Sequence, residues 1–396
     1  MEKNNKAIWT KRFISLFFTN ITIFLTFYGL VTTLPLFAIN ELSRSDEEAG
    51  LLLSIFLVSA IIVRPFTGKL LDLFDKKKML LTSLVIYTVC TILYIFIEPF
   101  GLLLVLRFFQ GIWFSIATTA TGSIAADIVP PERRGAGLGY FVMSTNLSIV
   151  LGPLVGLFVV QHFSYDLLFL TLSISLIIGS LAALSIKLMP EEQYKPAERN
   201  FKFTLNDLFE RKSMPVALVA CITSFSYASV LSFVSIYAEQ KGLIEIATFF
   251  FAVYAAAMIL SRPFTGRIFD MKGPSYIIIP GFILFGGGLL LMSFINNPFM
   301  FLLSGVLIGL GYGALVPSLQ TKAVQDAGPH RSGYGTATFF TLFDLGMAIG
   351  SYVLGMIAAN FGYENLYFTA ALVVIVALLF YLIVARRSAG QLKNNG

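Results

Sequence analysis

Four charged side chains stand inside otherwise apolar stretches: Arg64, Arg107 and Arg262, and Asp344 in the segment TLFDLGMAIG. A charge at the centre of an apolar helix costs about 2.5–3.5 kcal/mol by insertion scales, so each is expected to face protein or water and to have a partner. A guanidinium in such a place can hold backbone carbonyls or a polar solute. A carboxylate poised between burial, which favours the neutral form, and a nearby arginine, which favours the charged one, can take a proton from one side and release it to the other. Asp344 is the only acid placed deep in an apolar stretch. It is expected to carry a proton or bind a cation, with Arg107, Arg64 or Arg262 as its partner. The rival role is an ion pair that only holds helices together.

Membrane spans must position these groups. Apolar residues make up 57% of the 396 positions, phenylalanine supplies 39 of them, and charged residues only 13%, giving a mean hydropathy of +0.81. No soluble domain needs so apolar a composition. A run of about 20 apolar residues crosses the hydrocarbon core as a helix. Twelve such spans are expected, at 12–38, 48–71, 79–98, 101–126, 136–160, 166–188, 214–238, 246–268, 275–295, 299–321, 333–359 and 365–385. The basic start MEKNNKAIWTKR leads into an apolar run longer than a signal-peptide core, and is expected to be retained. With the N-terminus inside, 23 of the 28 Lys and Arg fall on the inner side, against Arg44 and Lys241 outside. That asymmetry puts both termini in the cytoplasm of a cell-membrane protein. The net charge of +6 is thus dispersed over many loops, which excludes a nucleic-acid surface. Six spans (1–188) and six spans (214–396) flank a charged linker at 189–213 with Pro190, Pro196 and a short surface helix expected near 204–210.

The two halves repeat each other. RPFTGKLLD from Arg64 to Asp72 returns as RPFTGRIFD from Arg262 to Asp270, 198 positions on. At the same offset Gly111 matches Gly309, Pro131 matches Pro329, Arg133 matches Arg331, Gly135 matches Gly333, Gly137 matches Gly335 and Gly152 matches Gly350. A series at one offset is a duplication. Each copy has six spans, so both have one orientation. The fold class is therefore an all-α membrane protein of twelve helices in two six-helix bundles, related as parallel repeats. Arg64 and Arg262 are kept in both copies, which leaves scaffold and substrate contact equally open. Arg107 faces Ser304 and Gly305 in the other copy, and Asp344 faces Asn146. Charges on one side only point to function.

Asp72 and Asp270 lie at the inner ends of the second and eighth spans, each one turn after a glycine, Gly68 and Gly266. A carboxylate there can dock on the positive N-terminal end of a helix, at Gly135 or at Ser332 and Gly333, and close a gate. The chain resembles the major facilitator superfamily over essentially its whole length. The family pattern after the second span is Gly, three residues, Asp, Arg, any residue, Gly, then basic residues. Gly68, Asp72, Lys76, Lys77 and Lys78 match it, while Leu73 and Asp75 replace its arginine and second glycine. Arg107, Gln110 and Gly111 have the spacing of the fourth-helix motif, which implies proton coupling or substrate binding for Arg107. SIVLGPLVGL resembles the antiporter motif through Gly152, Pro153 and Gly156, with Ser148 and Leu157 at two of its glycine positions. The resemblance implies gating by Asp72 and Asp270, and a cavity lined by the first, fourth, seventh and tenth spans. Those spans offer Tyr28, Gln110, Trp113, Tyr227 and Tyr312, with Arg64 and Arg262 as further candidates for substrate contact. Their aromatic and hydroxyl character suits an amphiphilic or weakly polar solute. The first span carries no acid, unlike many multidrug members.

Other chemistries are absent. No Gly, four residues, Gly, Lys, Ser/Thr sequence occurs, and GAGLG and GLGYG follow no strand. His162 and His330 lie in separate loops, and Cys90 and Cys221 fall within spans without metal-ligand spacing. No enzyme activity, metal or cofactor is expected. The expected function is proton-coupled efflux of a small amphiphilic molecule by alternating access. The expected partners are that solute, protons and the bilayer, with no nucleic acid, and the protein is expected to be monomeric. A proton-symporting importer of a sugar or small metabolite and a lipid flippase are the alternatives.

Overall fold

The structure, a computed structural model, describes residues 7–44, 46–97, 99–187, 208–328 and 331–394. Among them are twelve long helices and no strand: α1 Lys11–Asn40, α2 Asp46–Leu73, α3 Lys76–Leu93, α4 Phe100–Ile128, α5 Arg134–His162, α6 Tyr165–Leu184, α7 Met214–Gln240, α8 Ile244–Lys272, α9 Ser275–Ser293, α10 Pro298–Ala327, α11 Ser332–Phe361 and α12 Tyr363–Asn394. Eleven are long and apolar enough to cross a bilayer. The twelfth is α3, 18 residues that open on Lys76, Lys77 and Lys78. It also ends earlier than its apolar run suggests. Ile95 and Phe96 close tight turns onto Ile92 and Leu93 instead of continuing the helix. His330, most of the 189–213 linker and most of the helix expected near 204–210 lie outside the described residues.

Helix starts follow local chemistry. The Thr10 side chain accepts from the Phe13 N–H, Asp75 from Lys78 and Ser164 from Leu167, each satisfying a donor that the first turn leaves open. Asp75 stands where the family pattern has glycine, yet its φ is −53°. No left-handed residue is needed there, and the carboxylate serves as a cap. At the end of α8, Gly273 does adopt a left-handed φ of 95° and returns its N–H to Phe269.

The chain forms two compact units. One contains Met1–Pro131, Phe141–Phe209 and Gly328–Ala337; the other contains Glu132–Tyr140, Glu210–Ala327 and Thr338–Gly396. In the first unit α1 packs on α2, α4 and α6, α2 on α3 and α4, and α3 on α4 and α6. Every one of these pairs recurs six helices later in the second unit. The duplication extends to single contacts. A Cβ added to Gly111 would run into the Phe56 carbonyl and Ser59, and one added to Gly309 would run into the Tyr254 carbonyl and Ala257. Phe56 and Tyr254, and Ser59 and Ala257, are again 198 apart. Helices that approach this closely have no room for a side chain at the crossing. Each unit has its own apolar core, from Leu30 to Leu172 in the first and from Val216 to Tyr381 in the second. Large apolar side chains such as Phe96, Leu260, Phe299 and Tyr352 remain more than two-thirds exposed, as lipid-facing positions require and soluble proteins avoid.

Candidate functional site

Arg107 is 1% exposed and lies inside the first unit. Its Nε donates to the Leu52 carbonyl at 3.1 Å and its Nη1 to Gln110 Oε1 at 2.8 Å. The guanidinium sits 4.4 Å from the Phe56 ring centroid. Gln110 Oε1 also accepts from Tyr94 at 2.6 Å, and its Nε2 donates to Thr91 at 3.1 Å. Three helices, α2, α3 and α4, are tied together by one cation and one amide, and among the described residues no carboxylate pairs with Arg107. The network lies at the one-sided position noted above: Gly305 replaces Arg107 in the other repeat and packs on Phe250 there. Tyr94 and Thr91 belong to the network but were not legible in advance, since no spacing within α3 marks them.

Along α1, Phe24 and Phe27 meet the Phe114 ring with centroids 5.4 and 4.8 Å away, and Tyr28 lies beside both. Tyr28 and Trp113 are half-buried. In the second unit Tyr227 and Tyr312 stack with centroids 3.6 Å apart, and the Tyr254 hydroxyl donates to that of Tyr227 at 2.9 Å. Arg262 is 3% exposed on the same helix as Tyr254, and its Nε and Nη2 have no hydrogen-bond partner among the described residues. Gln320 of α10 is likewise buried with both amide atoms unpaired. Arg64 is as buried as Arg262.

Asp344 is half-buried on α11. On both sides of it α11 crosses α7, where Ser224 donates to the Phe343 carbonyl at 2.7 Å and Gly350 leaves no space above Phe225. In the first unit the matching crossing of α5 on α1 is built from the antiporter-like motif. A Cβ on Gly152 would lie 2.6 Å from that of Tyr28, and one on Gly156 would lie 3.0 Å from Thr33. Pro153 lies between them inside α5. Ser148, at a position where the family motif has glycine, donates to the Ile21 carbonyl of α1 at 3.1 Å. A small hydroxyl thus fits the close crossing. Asn20 adds a polar node, donating to Ser144 and Thr145 and accepting from Thr121.

The ends of α2 and α8 hold the remaining candidates. Asp270 accepts from the N–H groups of Gly135 at 2.7 Å and Ala136 at 3.0 Å, the open donors of the first turn of α5. Gly266 makes the approach possible, because a Cβ there would lie 2.5 Å from the Ala136 Cα. Gly68 does the same against Tyr334, at 2.9 Å from its Cα. Asp72 hydrogen-bonds the Tyr334 side chain and lies near Lys76 and Arg331. Lys76 donates to Asp127 at 2.6 Å and to Ser332 at 2.9 Å, and Ser332 in turn donates to the other Asp127 oxygen at 2.7 Å. Lys77 reaches the Leu184 carbonyl at 2.9 Å. Asp127 and Ser332 complete this cluster from positions 51 and 256 residues away from Lys76, a distance in sequence that no local pattern spans.

The Major Facilitator Superfamily model matches residues 16–351 and 273–396. The chain belongs to this superfamily. It is thus a multi-span membrane transporter of small molecules. It is 26% identical to an uncharacterized MFS-type transporter of Methanocaldococcus jannaschii over 98% of this chain and 99% of that one. It is 26% identical to the multi-drug resistance efflux pump PmrA of Streptococcus pneumoniae, covering 90% of this chain and 92% of the pump. With the multidrug resistance protein MdtG of Klebsiella pneumoniae it shares 25% identity over 88% of this chain and 86% of that protein. Two solved structures share the fold. The human organic anion transporter MFSD10 aligns with a TM-score of 0.79 at 16% identity, over 93% of this chain and 98% of its own. A bacterial homologue of the iron transporter ferroportin, in its outward-facing state, aligns with a TM-score of 0.80 at 12% identity, over 94% and 99%. The MFS assignment agrees with the helix count and with the duplication.

Proposed function

We propose that this MFS member exports a small amphiphilic molecule in exchange for protons, by alternating access. The observation that carries the reading is Asp344. It is a half-buried carboxylate in the middle of a spanning helix, and its repeat counterpart is the neutral Asn146. Half-burial leaves a proton a route to the group, while the apolar surroundings make its charge state matter to the energy of each conformation. Arg107 supplies the second coupling charge, a buried cation with no carboxylate paired to it among the described residues. The relatives named as efflux pumps support the outward direction.

Tyr28, Trp113, Tyr227 and Tyr312 supply aromatic surface for the solute. The guanidiniums of Arg64 and Arg262 and the amide of Gln110 supply its polar contacts. Asp72 with Gly68, and Asp270 with Gly266, act as gate latches, and Lys76 and Lys77 brace the first. Gly152, Pro153 and Gly156 keep the α1–α5 crossing close enough to transmit movement. Both termini lie in the cytoplasm, and the protein works as a monomer. The test is dye export from cells loaded with a fluorescent amphiphile. Export that a protonophore abolishes and that Asp344→Asn removes is the expected result. Export that persists without any gradient would support lipid or solute equilibration instead, and gradient-driven uptake would support an importer.

A further inference from the structure

We propose, resting on the export reading above, that the solute is an organic acid whose carboxylate is held by Arg262 in the second unit. Arg262 is 3% exposed, and its Nε and Nη2 are buried without a hydrogen-bond partner among the described residues. These two nitrogens form one edge of the planar guanidinium, and their N–H groups point the same way. That edge matches the two oxygens of a carboxylate, which it grips through parallel hydrogen bonds. Among the described residues no carboxylate acts on it, and the side chain that its charge reaches is Tyr254. The repeat counterpart Arg64 does have interaction partners, so the duplicated scaffold does not require an unpaired guanidinium.

A second unpaired group lies at the same level of the bundle. A Cβ on Gly305, Gly309 or Gly313 of α10 would meet the backbone of Phe250, Tyr254 or Met258 of α8, three pairs that are each 55 positions apart. The two helices therefore run in parallel at one register, which sets Arg262 level with Pro317 and one turn from Gln320. Gln320 is 1% exposed, and its Nε2 and Oε1 are both unpaired. Its amide adds N–H donors to those of the guanidinium.

This polar character belongs to the second copy alone. At the repeat offset of 198, Gln320 stands for Gly122, Tyr254 for Phe56, Tyr312 for Phe114 and Tyr227 for Gly29. One amide and three phenols occupy positions where the first copy has no side chain able to hydrogen-bond. The stacked rings of Tyr227 and Tyr312 supply aromatic surface for the body of the acid. Polar groups as buried as Arg262 are almost always paired, and a charged one left unpaired disfavours the conformation that buries it. A carboxylate that pairs with Arg262 favours the conformation that admits it. That difference in affinity is what a solute needs to shift the populations of an alternating-access cycle.

The test uses purified protein in lipid nanodiscs with a dansyl-labelled fatty acid and its methyl ester. Binding is read from dansyl emission after subtraction of the signal from protein-free nanodiscs. The acid should bind at least about tenfold more tightly than the ester, the factor for one hydrogen bond to a charged group. Arg262→Met should abolish that preference, and Arg262→Lys, which keeps the charge but not the paired edge, should lose most of it. Arg262→Met should also raise the thermal unfolding midpoint without probe, because an unpaired buried charge is gone; a scaffold arginine would give a lower midpoint. No preference for the acid, whether both probes bind or neither, would overturn the proposal, as would a preference that both variants leave in place. Export is read separately, with the same probes in loaded cells. An acid preference that depends on Arg262, with neither probe exported, would keep the carboxylate site and overturn the export reading. Proton-coupled export of both probes with no acid preference would do the reverse.

Discussion

Lys76 is an ammonium with 8% of its side chain exposed, held by an Asp127 carboxylate that is 16% exposed. Removing one member of such a buried pair leaves an uncompensated charge and costs roughly 3–5 kcal/mol, whereas replacing both with apolar groups is often neutral. Asp127→Ala should therefore lower the thermal unfolding midpoint in detergent sharply, and Lys76→Met in the same chain should restore most of the loss. Asp270 acts differently, since its partners are backbone N–H groups. Asp270→Asn keeps the shape but leaves a single neutral acceptor, so one of the two N–H bonds weakens and the other is lost because the amide NH2 cannot accept it, a cost of at least about 1.5 kcal/mol. A cysteine at Ala136 should then react with maleimide about tenfold faster than in the parent. An unchanged labelling rate would show that the contact does not hold the first turn of α5 in place.

Among the helices, the paired crossings make the sharpest stability claim. Gly111→Ala and Gly309→Ala each push a methyl into the backbone of the neighbouring helix, α2 or α8. Overpacking of this kind costs about 1–3 kcal/mol, so the two variants should destabilise to a similar degree in a thermal-shift assay. That equivalence could be read from the sequence, because hydrophobic runs located the helices and one recurring offset paired their glycines. The ends of elements were less legible: α3 stops at Leu93 and passes into tight turns although its apolar run continues. Asp75 looked like a departure from a family glycine, and only its cap geometry shows that it serves the start of α3. The candidate site was legible wherever a charge stood out against an apolar background, as Arg107 and Asp344 do. Tyr94, Thr91, Asp127 and Ser332 were not, because an ordinary tyrosine, hydroxyl or helix-end acid acquires its part only when distant helices meet.

At the scale of the whole molecule, the asymmetry of Lys and Arg makes a prediction: one end of every helix is cytoplasmic. With Cys90 and Cys221 replaced by serine, Lys241→Cys should react with a membrane-impermeant maleimide on intact cells, while Lys272→Cys should react only in inverted vesicles. The reverse pattern would invert the topology and with it the direction of transport. The central claim is coupling of solute export to proton entry through Asp344. It is tested most directly in inverted membrane vesicles, energised to be acidic inside and followed with a pH-sensitive dye while amphiphilic solutes are added one at a time. Proton antiport predicts that a transported solute partly collapses the gradient in parent vesicles and leaves it intact in Asp344→Asn vesicles. The same collapse in both would contradict the role of Asp344, and solute accumulation with no proton movement would contradict coupled export itself.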